Sequence, residues 1–493
     1  MNNTTHYYAG QWHASPTDAA DSDIISVNPA TEEQLWHGQA ADAGQIDAAI
    51  DAAREAFKSW SRTSIEERTA MMRRYQEILK ARKDELAQAI SDETGKQLWE
   101  SKTEAATMIG KVDLSIAAYE QRTGTQAKDL NGINTVLTHR PHGVLLVLGP
   151  YNFPGHLPNG HIVPALLAGN VILFKPSEIT PLVGQKLIEC LVEAGLPAGV
   201  VSLLQGGGNT GALLSGHADI DGVLFTGSSR TGAALHKQFA GQPQKLLALE
   251  MGGNNPLIFH QVDDIKAAVY HTIQSAFITS GQRCTCARRL IVVDDEAGRE
   301  FVAQLSRAIG NIKAAMPNDD PEAFIGPVVS NHVADQLMQA QQTMLDSGAT
   351  ALVAMRRDDP ATPLLTPGLL DVTEQQSRED EEYFGPLLQL IWVENFDSAI
   401  EQANDTRFGL AAGILTDDDE LWQEFYLRAH AGILNRNRPT TGASGGAPFG
   451  GVGASGNHRP SAFYAADYCA YPMATMSDDR ATLPETLSTG ITL

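Results

Sequence analysis

Apolar residues recur at helical spacing in the first part of the chain. Between Gln45 and Trp60 they fall at Ile46, Ala49, Ile50, Ala53 and Phe57, one face of a 3.6-residue repeat. A second helix is predicted from Ser64, where Glu67 offers the partner of a capping box. From Gly143 the pattern changes. Short apolar runs (GVLLVLG, NVILF, GVVSLLQ, DGVLF, KLLALE) alternate with the helical segments HIVPALLAG, TPLVGQKLIECLVEAG, TGALLSG and TGAALHKQFAG. Strands that are apolar throughout and separated by helices predict a parallel sheet covered on both faces. A second series starts near Asn255 with PLIFH, RRLIVV, LLQLIWV, AAGILT and AGILN. The pattern predicts an α/β chain with two such units, the doubly wound layout that binds ligands at the carboxyl ends of its strands. The tail after Tyr471 reads as polar and unperiodic.

The 493 residues are 43% hydrophobic and 19% charged, which is ordinary for a globular protein of two or three domains. With 36 Lys and Arg against 59 Asp and Glu, the net charge of −23 disfavours a nucleic-acid partner. Four cysteines (Cys190, Cys284, Cys286, Cys469) do not make a disulfide scaffold at this length, so a reducing compartment is expected. The start, MNNTTHYYAGQWH, lacks the basic and apolar regions of a signal peptide. The most apolar region, 143–174, is broken by Pro150, Pro154, Pro158, Pro164, Gly169 and Asn170 and predicts no membrane span. The expected location is cytoplasmic.

Two of the four cysteines lie in TSGQRCTC, Thr279 to Cys286. A structural zinc site would need a second pair of ligands, and none appears, so no metal is expected. The segment YHTIQSAFITS reads as a helix ending at Ser280–Gly281. A cysteine just past that end, beside Arg283, can be exposed with its thiolate favoured, which makes Cys284 a candidate nucleophile; a buried inert thiol is the alternative. Cys286 reads as a small core residue. Glu250 ends the strand KLLALE before two glycines and is a candidate general base, or a solvated carboxylate. Asn152, in PYNFP, can donate to an oxyanion or be a turn residue. GGGNTG, Gly206 to Gly211, matches a dinucleotide fingerprint better than GSSRTG, Gly227 to Gly232, though both follow a strand and open a helix. In FKPSE, Lys175 can hold a ribose or phosphate, and Glu178 can accept from ribose hydroxyls. His139, His142, His156 and His161 show no metal spacing and read as structural.

Taken in order, GPYNFP, FKPSE, FTGSSRTG, LEMGGNNP, GQRCT, EEYFGP and PFGG resemble the NAD(P)-dependent aldehyde dehydrogenase superfamily over almost the full length. RPHGVLLVLGPYNFPGHLPNGHIVPALLAGN, ALEMGGNNPLI, GQRCTCARRL and GASGNHRPSAFYAADYCAYPMA resemble its N-succinylglutamate 5-semialdehyde branch, which acts in arginine degradation. The resemblance implies a Rossmann-like NAD-binding domain (1–120 and 142–253), an α/β catalytic domain (254–450), and oligomerisation segments (121–141 and 468–493) that make a homodimer or homotetramer. It implies Cys284 as nucleophile, Glu250 as general base, and Asn152 with the Cys284 N–H as oxyanion donors. Lys175 and Glu178 would hold the adenosine ribose. The loop Gly227, Ser228, Ser229, Arg230, Thr231 and Gly232 would face the pyrophosphate, reversing the ranking of the two glycine loops. Glu382 and Phe384 would position the nicotinamide half. Tyr151 stands where the superfamily commonly has Trp, and Arg436 and Arg438 where an aromatic and a Lys are usual.

Glu178 favours NAD over NADP, because a carboxylate accepts from a free 2′-hydroxyl and repels a 2′-phosphate. The implied substrate is a dicarboxylate semialdehyde, which an acidic chain must meet with local positive charge. Arg283, Arg436, Arg438, His458 and Arg459 are the candidates, each with a surface charge or internal ion pair as the alternative. A thiol hydrolase working through Cys284 without nucleotide is the rival chemistry, and a non-catalytic protein that kept the fold is the other rival.

Overall fold

Asp42 and Ser64 start the two helices that the apolar spacing predicts. Each accepts a hydrogen bond from the third helical residue, and Gln45 and Glu67 reach back to complete capping boxes. The first helix, Ala43–Trp60, buries Ile46, Ala49, Ile50 and Ala53. A computed structural model describes residues 4–14, 23–130, 133–375 and 378–493.

The first sheet has seven strands, in the order Leu246–Met251, Gly222–Gly227, Val144–Leu148, Val171–Lys175, Val201–Leu203, Thr4–Tyr8 and Gln11–Ala14. The first five run parallel, and the last two are joined antiparallel at the edge. The second sheet, also of seven strands, is ordered Thr350–Val353, Gly368–Asp371, Leu387–Val393, Ala287–Val293, Asn255–Phe259, Ala411–Leu415 and Ile433–Arg436. All of its pairings are parallel except the one made by Thr350–Val353. Every apolar run that the sequence marks as a strand is one, and the central strands are buried along their whole length. The four short strands that precede the first helix were not predicted.

Strand Leu246–Met251 of the first sheet leads through Gly252, Gly253 and Asn254 directly into strand Asn255–Phe259 of the second. The carboxyl ends of the first sheet therefore meet the amino ends of the second at this turn. Ser455 and Asn457 stitch the junction. Ser455 donates to the Gly252 carbonyl at 2.7 Å, and Asn457 accepts from Leu249 N at 2.9 Å and donates to Leu247 O at 2.8 Å, as a neighbouring strand would.

Two expectations are corrected. The helix before the cysteines is Ile265–Ala276, not one reaching Ser280. Thr279 (φ 58°), Ser280 (φ 52°) and Gly281 (φ 72°) lie in the left-handed region, which no right-handed helix can enter. The tail contains a strand, Ala470–Ser477, paired along its length with Ile133–Pro141, which pairs in turn with Gln126–Leu130. Hydrogen bonding to an exposed hairpin needs no apolar alternation, so periodicity did not mark it. Among the described residues, no helix is long and apolar enough to cross a membrane, and no three His, Cys, Asp or Glu side chains converge as a metal site.

Candidate active site

The segment carrying Cys284 is held by side chains rather than by secondary structure. Thr279 donates to Glu100, and Arg283 donates to Thr279 Oγ1 at 2.7 Å and pairs with Glu100 at 2.7 Å. Ser280 donates to Gly326 O at 2.6 Å. Arg288, fully buried in a strand, donates to Gly281 O at 2.7 Å and Arg283 O at 2.9 Å. Asn255 donates to the carbonyls of both Cys284 (2.7 Å) and Cys286 (2.8 Å). A side chain at 281 would collide with the Gly385 carbonyl, so glycine is required there by space as well as by φ. Left-handed non-glycine residues cost about 1–3 kcal/mol each and persist only where their surroundings over-determine them, as here.

This scaffold separates the two cysteines. Cys286 is buried, with its thiol toward Ile278 O at 3.8 Å. Cys284 is half-buried and opens onto a cavity of about 790 Å³ between the sheets. Asn152, Glu250, Glu382 and Phe384 line the same cavity. Burial pushes the Cys284 thiol up to about 12, with the Glu382 and Glu250 carboxyls adding to it, so the resting group is a thiol. Glu250 is 4% exposed, and neither carboxylate oxygen has a hydrogen-bond partner among the described residues. Burial holds its pKa well above the usual carboxylate range. Glu382 is raised to about 7 by burial, against the pull of Arg288 and the Gly253 N–H, which it accepts at 3.2 Å. Asn152 is buried and spends one amide hydrogen on Gln282 O at 3.0 Å.

The loops after the strands of the first sheet form the rest of the cavity wall. Glu178, Gly227, Ser228, Arg230 and Thr231 line it. Ser228 caps helix Ser229–Gln238, accepting from Thr231 N, so the amino end of that helix faces the cavity. Ser229, Gly232 and Lys175 lie outside the lining. A side chain at 232 would strike Met251, so this glycine serves close helix–strand packing. The Lys175 ammonium is buried under the loop, donating to Pro176 O at 2.6 Å and Gly206 O at 2.5 Å, with Glu178 at 3.6 Å. No residue of GGGNTG lines the cavity, and Gly206 instead sits tight against Thr210.

The cavity suits a nicotinamide dinucleotide on three observations. Helix Ser229–Gln238 offers its amino end to a phosphate, Glu178 stands half-exposed on the rim, and the buried Glu250 and the half-buried Glu382 lie at the seam where the sheets meet. Among the proposed anion-binding residues, only Arg283 lines the cavity. Arg436 pairs with Asp419 at 2.5 Å, and Arg438, His458 and Arg459 are exposed elsewhere. His156 and His161, read as structural, are cavity residues, as is Lys111. Arg288 is marked in the sequence as a charge at the start of an apolar strand run. Glu100, Asn255 and Lys111 carry no such mark.

The aldehyde dehydrogenase family model matches residues 16–473. The chain belongs to the aldehyde dehydrogenase family. An N-succinylglutamate 5-semialdehyde dehydrogenase of Ectopseudomonas mendocina is 55% identical over 99% of this chain and 100% of its own. Another enzyme of that name, from Chromobacterium violaceum, is 54% identical over 98% of this chain and 99% of its own. The crystal structure of a betaine aldehyde dehydrogenase variant from Staphylococcus aureus, in complex with NAD+, superposes with a TM-score of 0.90 at 27% identity, covering 99% of this chain and 98% of that one. In this aldehyde dehydrogenase, then, the α/β architecture expected from the apolar runs is the architecture of the family.

Proposed function

We propose that this enzyme oxidises N-succinyl-L-glutamate 5-semialdehyde to N-succinyl-L-glutamate with NAD as oxidant. The observation that carries the chemistry is the convergence of Cys284, Glu250 and Asn152 on one cavity. The two full-length relatives support the choice of substrate.

Aldehyde oxidation removes a hydride from the carbonyl carbon, and an sp² aldehyde is a poor hydride donor. Cys284 adds to that carbon and makes it tetrahedral. The second amide hydrogen of Asn152 and the Cys284 N–H stabilise the oxyanion as charge develops. The chemistry a bound NAD supplies is acceptance of the hydride. Cys284 is left as a thioester, and Glu250 takes a proton from the water that hydrolyses it. A carboxyl whose pKa is raised by burial is a strong base once ionised, which suits Glu250 to that step. The high resting pKa of Cys284 means that its proton must leave during or before addition, and Glu250 and Glu382 are the carboxylates close enough to influence it.

Glu178 on the cavity rim supports NAD over NADP. In this reading 1–120 and 142–253 hold the nucleotide, with Lys175 beneath the ribose loop and Ser229 and Gly232 shaping the phosphate-facing helix. Segment 254–450 carries the nucleophile. The three-stranded sheet built from Gln126–Leu130, Ile133–Pro141 and Ala470–Ser477, with Tyr471 and Met476 46% and 65% exposed, supports assembly as a homodimer or homotetramer.

Steady-state NADH formation with N-succinylglutamate, succinate and glutarate semialdehydes, with NAD and NADP, tests the proposal. The first substrate with NAD should give the highest kcat/KM. Ester cleavage without any nucleotide-dependent aldehyde oxidation would replace the reading with a thiol hydrolase.

A further inference from the structure

One wall of the cavity carries a positive charge that the chain does not neutralise. This wall is formed by helix Leu98–Arg122 and the start of helix His156–Ala168. Lys96, Lys111 and Arg283 all act on His156, which burial first and these charges next hold down to about 3, a neutral ring at any physiological pH. Two of the three cations have partners. Lys96 pairs with Glu104 at 2.6 Å, and Arg283 pairs with Glu100 at 2.7 Å. Lys111 is 4% exposed and has neither an ion pair nor a hydrogen-bond acceptor among the described residues. Cys469, which acts on it, is no counter-ion, because burial holds that thiol protonated. Burial lowers Lys111 to about 8, so it is cationic at neutral pH.

The direction of this charge is set by its helix. Thr107, Lys111 and Leu114 share one face, and all three line the cavity. The Lys111 ammonium lies against Gly160, where an added Cβ would stand 3.9 Å from Nζ. Leu114 approaches Gly445 in the loop that closes this side. On the same wall, His156 Nδ1 is buried with no partner. A buried cation without a counter-ion is costly, and an anion bound in the cavity would supply the missing partner.

We infer that Lys111 is a specificity-determining residue that binds a carboxylate of the aldehyde substrate, with the His156 ring on the same wall. This deepens the proposed function and rests on its anionic semialdehyde. A neutral aldehyde would leave the ammonium unpaired, so the pair selects for charge rather than for the reacting group. The outer candidates Arg436, Arg438, His458 and Arg459 are not needed for this contact.

The test compares wild type and Lys111→Met with N-succinylglutamate semialdehyde, succinate semialdehyde and hexanal. In the variant, KM for the anionic aldehydes should rise roughly 10- to 100-fold, the scale of one charge-assisted hydrogen bond, with kcat within about threefold. kcat/KM for hexanal should hold or rise, and Lys111→Arg should restore part of the lost preference. If wild type favours anionic aldehydes and Lys111→Met favours them equally, the Lys111 inference falls while the substrate reading stands. If wild type shows no preference for anionic aldehydes, both fall. A measurement without a variant guards against misfolding. N-succinylglutamate should protect Lys111 of the wild-type enzyme from a small amine-acylating reagent, and hexanol should not; absence of protection overturns the inference.

Discussion

The two sheets meet the cavity with opposite ends. The first presents the carboxyl ends of its strands, and from the loops that follow them come Asn152, Glu178, Ser228 and, at a strand terminus, Glu250. The second presents amino ends, and Cys284, Glu382 and Phe384 sit just before strands Ala287–Val293 and Leu387–Val393. Carboxyl ends of parallel strands lead into helix amino ends, which supply backbone donors and partial positive charge without further support. Amino ends have no such partner. Buried polar side chains hold the cysteine segment instead: Arg288 under Gly281 and Arg283, Asn255 under both cysteine carbonyls, and Glu100, from helix Leu98–Arg122, between Thr279 and Arg283. The first sheet's side of the cavity is thus built by topology, and the second sheet's side by a side-chain network.

Substitutions on the two sides sharpen this contrast. The largest effect belongs to the second sheet. Cys284→Ser should lower NADH formation by at least about 10³-fold, as loss of a nucleophile does, with melting temperature unchanged. Cys286→Ser should leave kcat within a few-fold in the same assay, because its thiol faces the core. Asn152→Ala, at a carboxyl end, should cost ~10²–10³ in kcat with little change in KM. Among the cavity residues, the smallest effect is expected farthest from the seam. Glu178→Gln should raise KM for NAD by roughly tenfold or less and narrow the gap to NADP, leaving saturated turnover unchanged. A large fall in saturated turnover would place Glu178 nearer the chemistry than the rim.

The same contrast explains what was legible in the sequence. The strands of both sheets stood out as continuous apolar runs, and the caps at Asp42 and Ser64 marked helix starts. Glu250 and Asn152 were visible because each ends or follows such a run. The cysteine segment was visible as a cysteine pair after a glycine, but its left-handed backbone was not, because Thr279 and Ser280 give no local reason to leave the helix. That conformation comes from Glu100 and Arg288, the first far away in the chain. Lys111 was invisible for a similar reason. On a helix of 25 residues a lysine reads as a solvated face until packing shows it buried. The glycine loops show the limit of a fingerprint, since GGGNTG has the better spacing and GSSRTG has the place on the cavity.

The central claim is that Glu250 from the first sheet and Cys284 from the second act in turn on one carbon. Rapid mixing of Glu250→Gln with NAD and the semialdehyde tests it most directly. The account predicts a burst of about one NADH per site, then turnover slowed ~10²–10⁴-fold, with the acyl group located on the Cys284 sulfur. Turnover at the wild-type rate without a burst, or an acyl group found on Cys286, would contradict it.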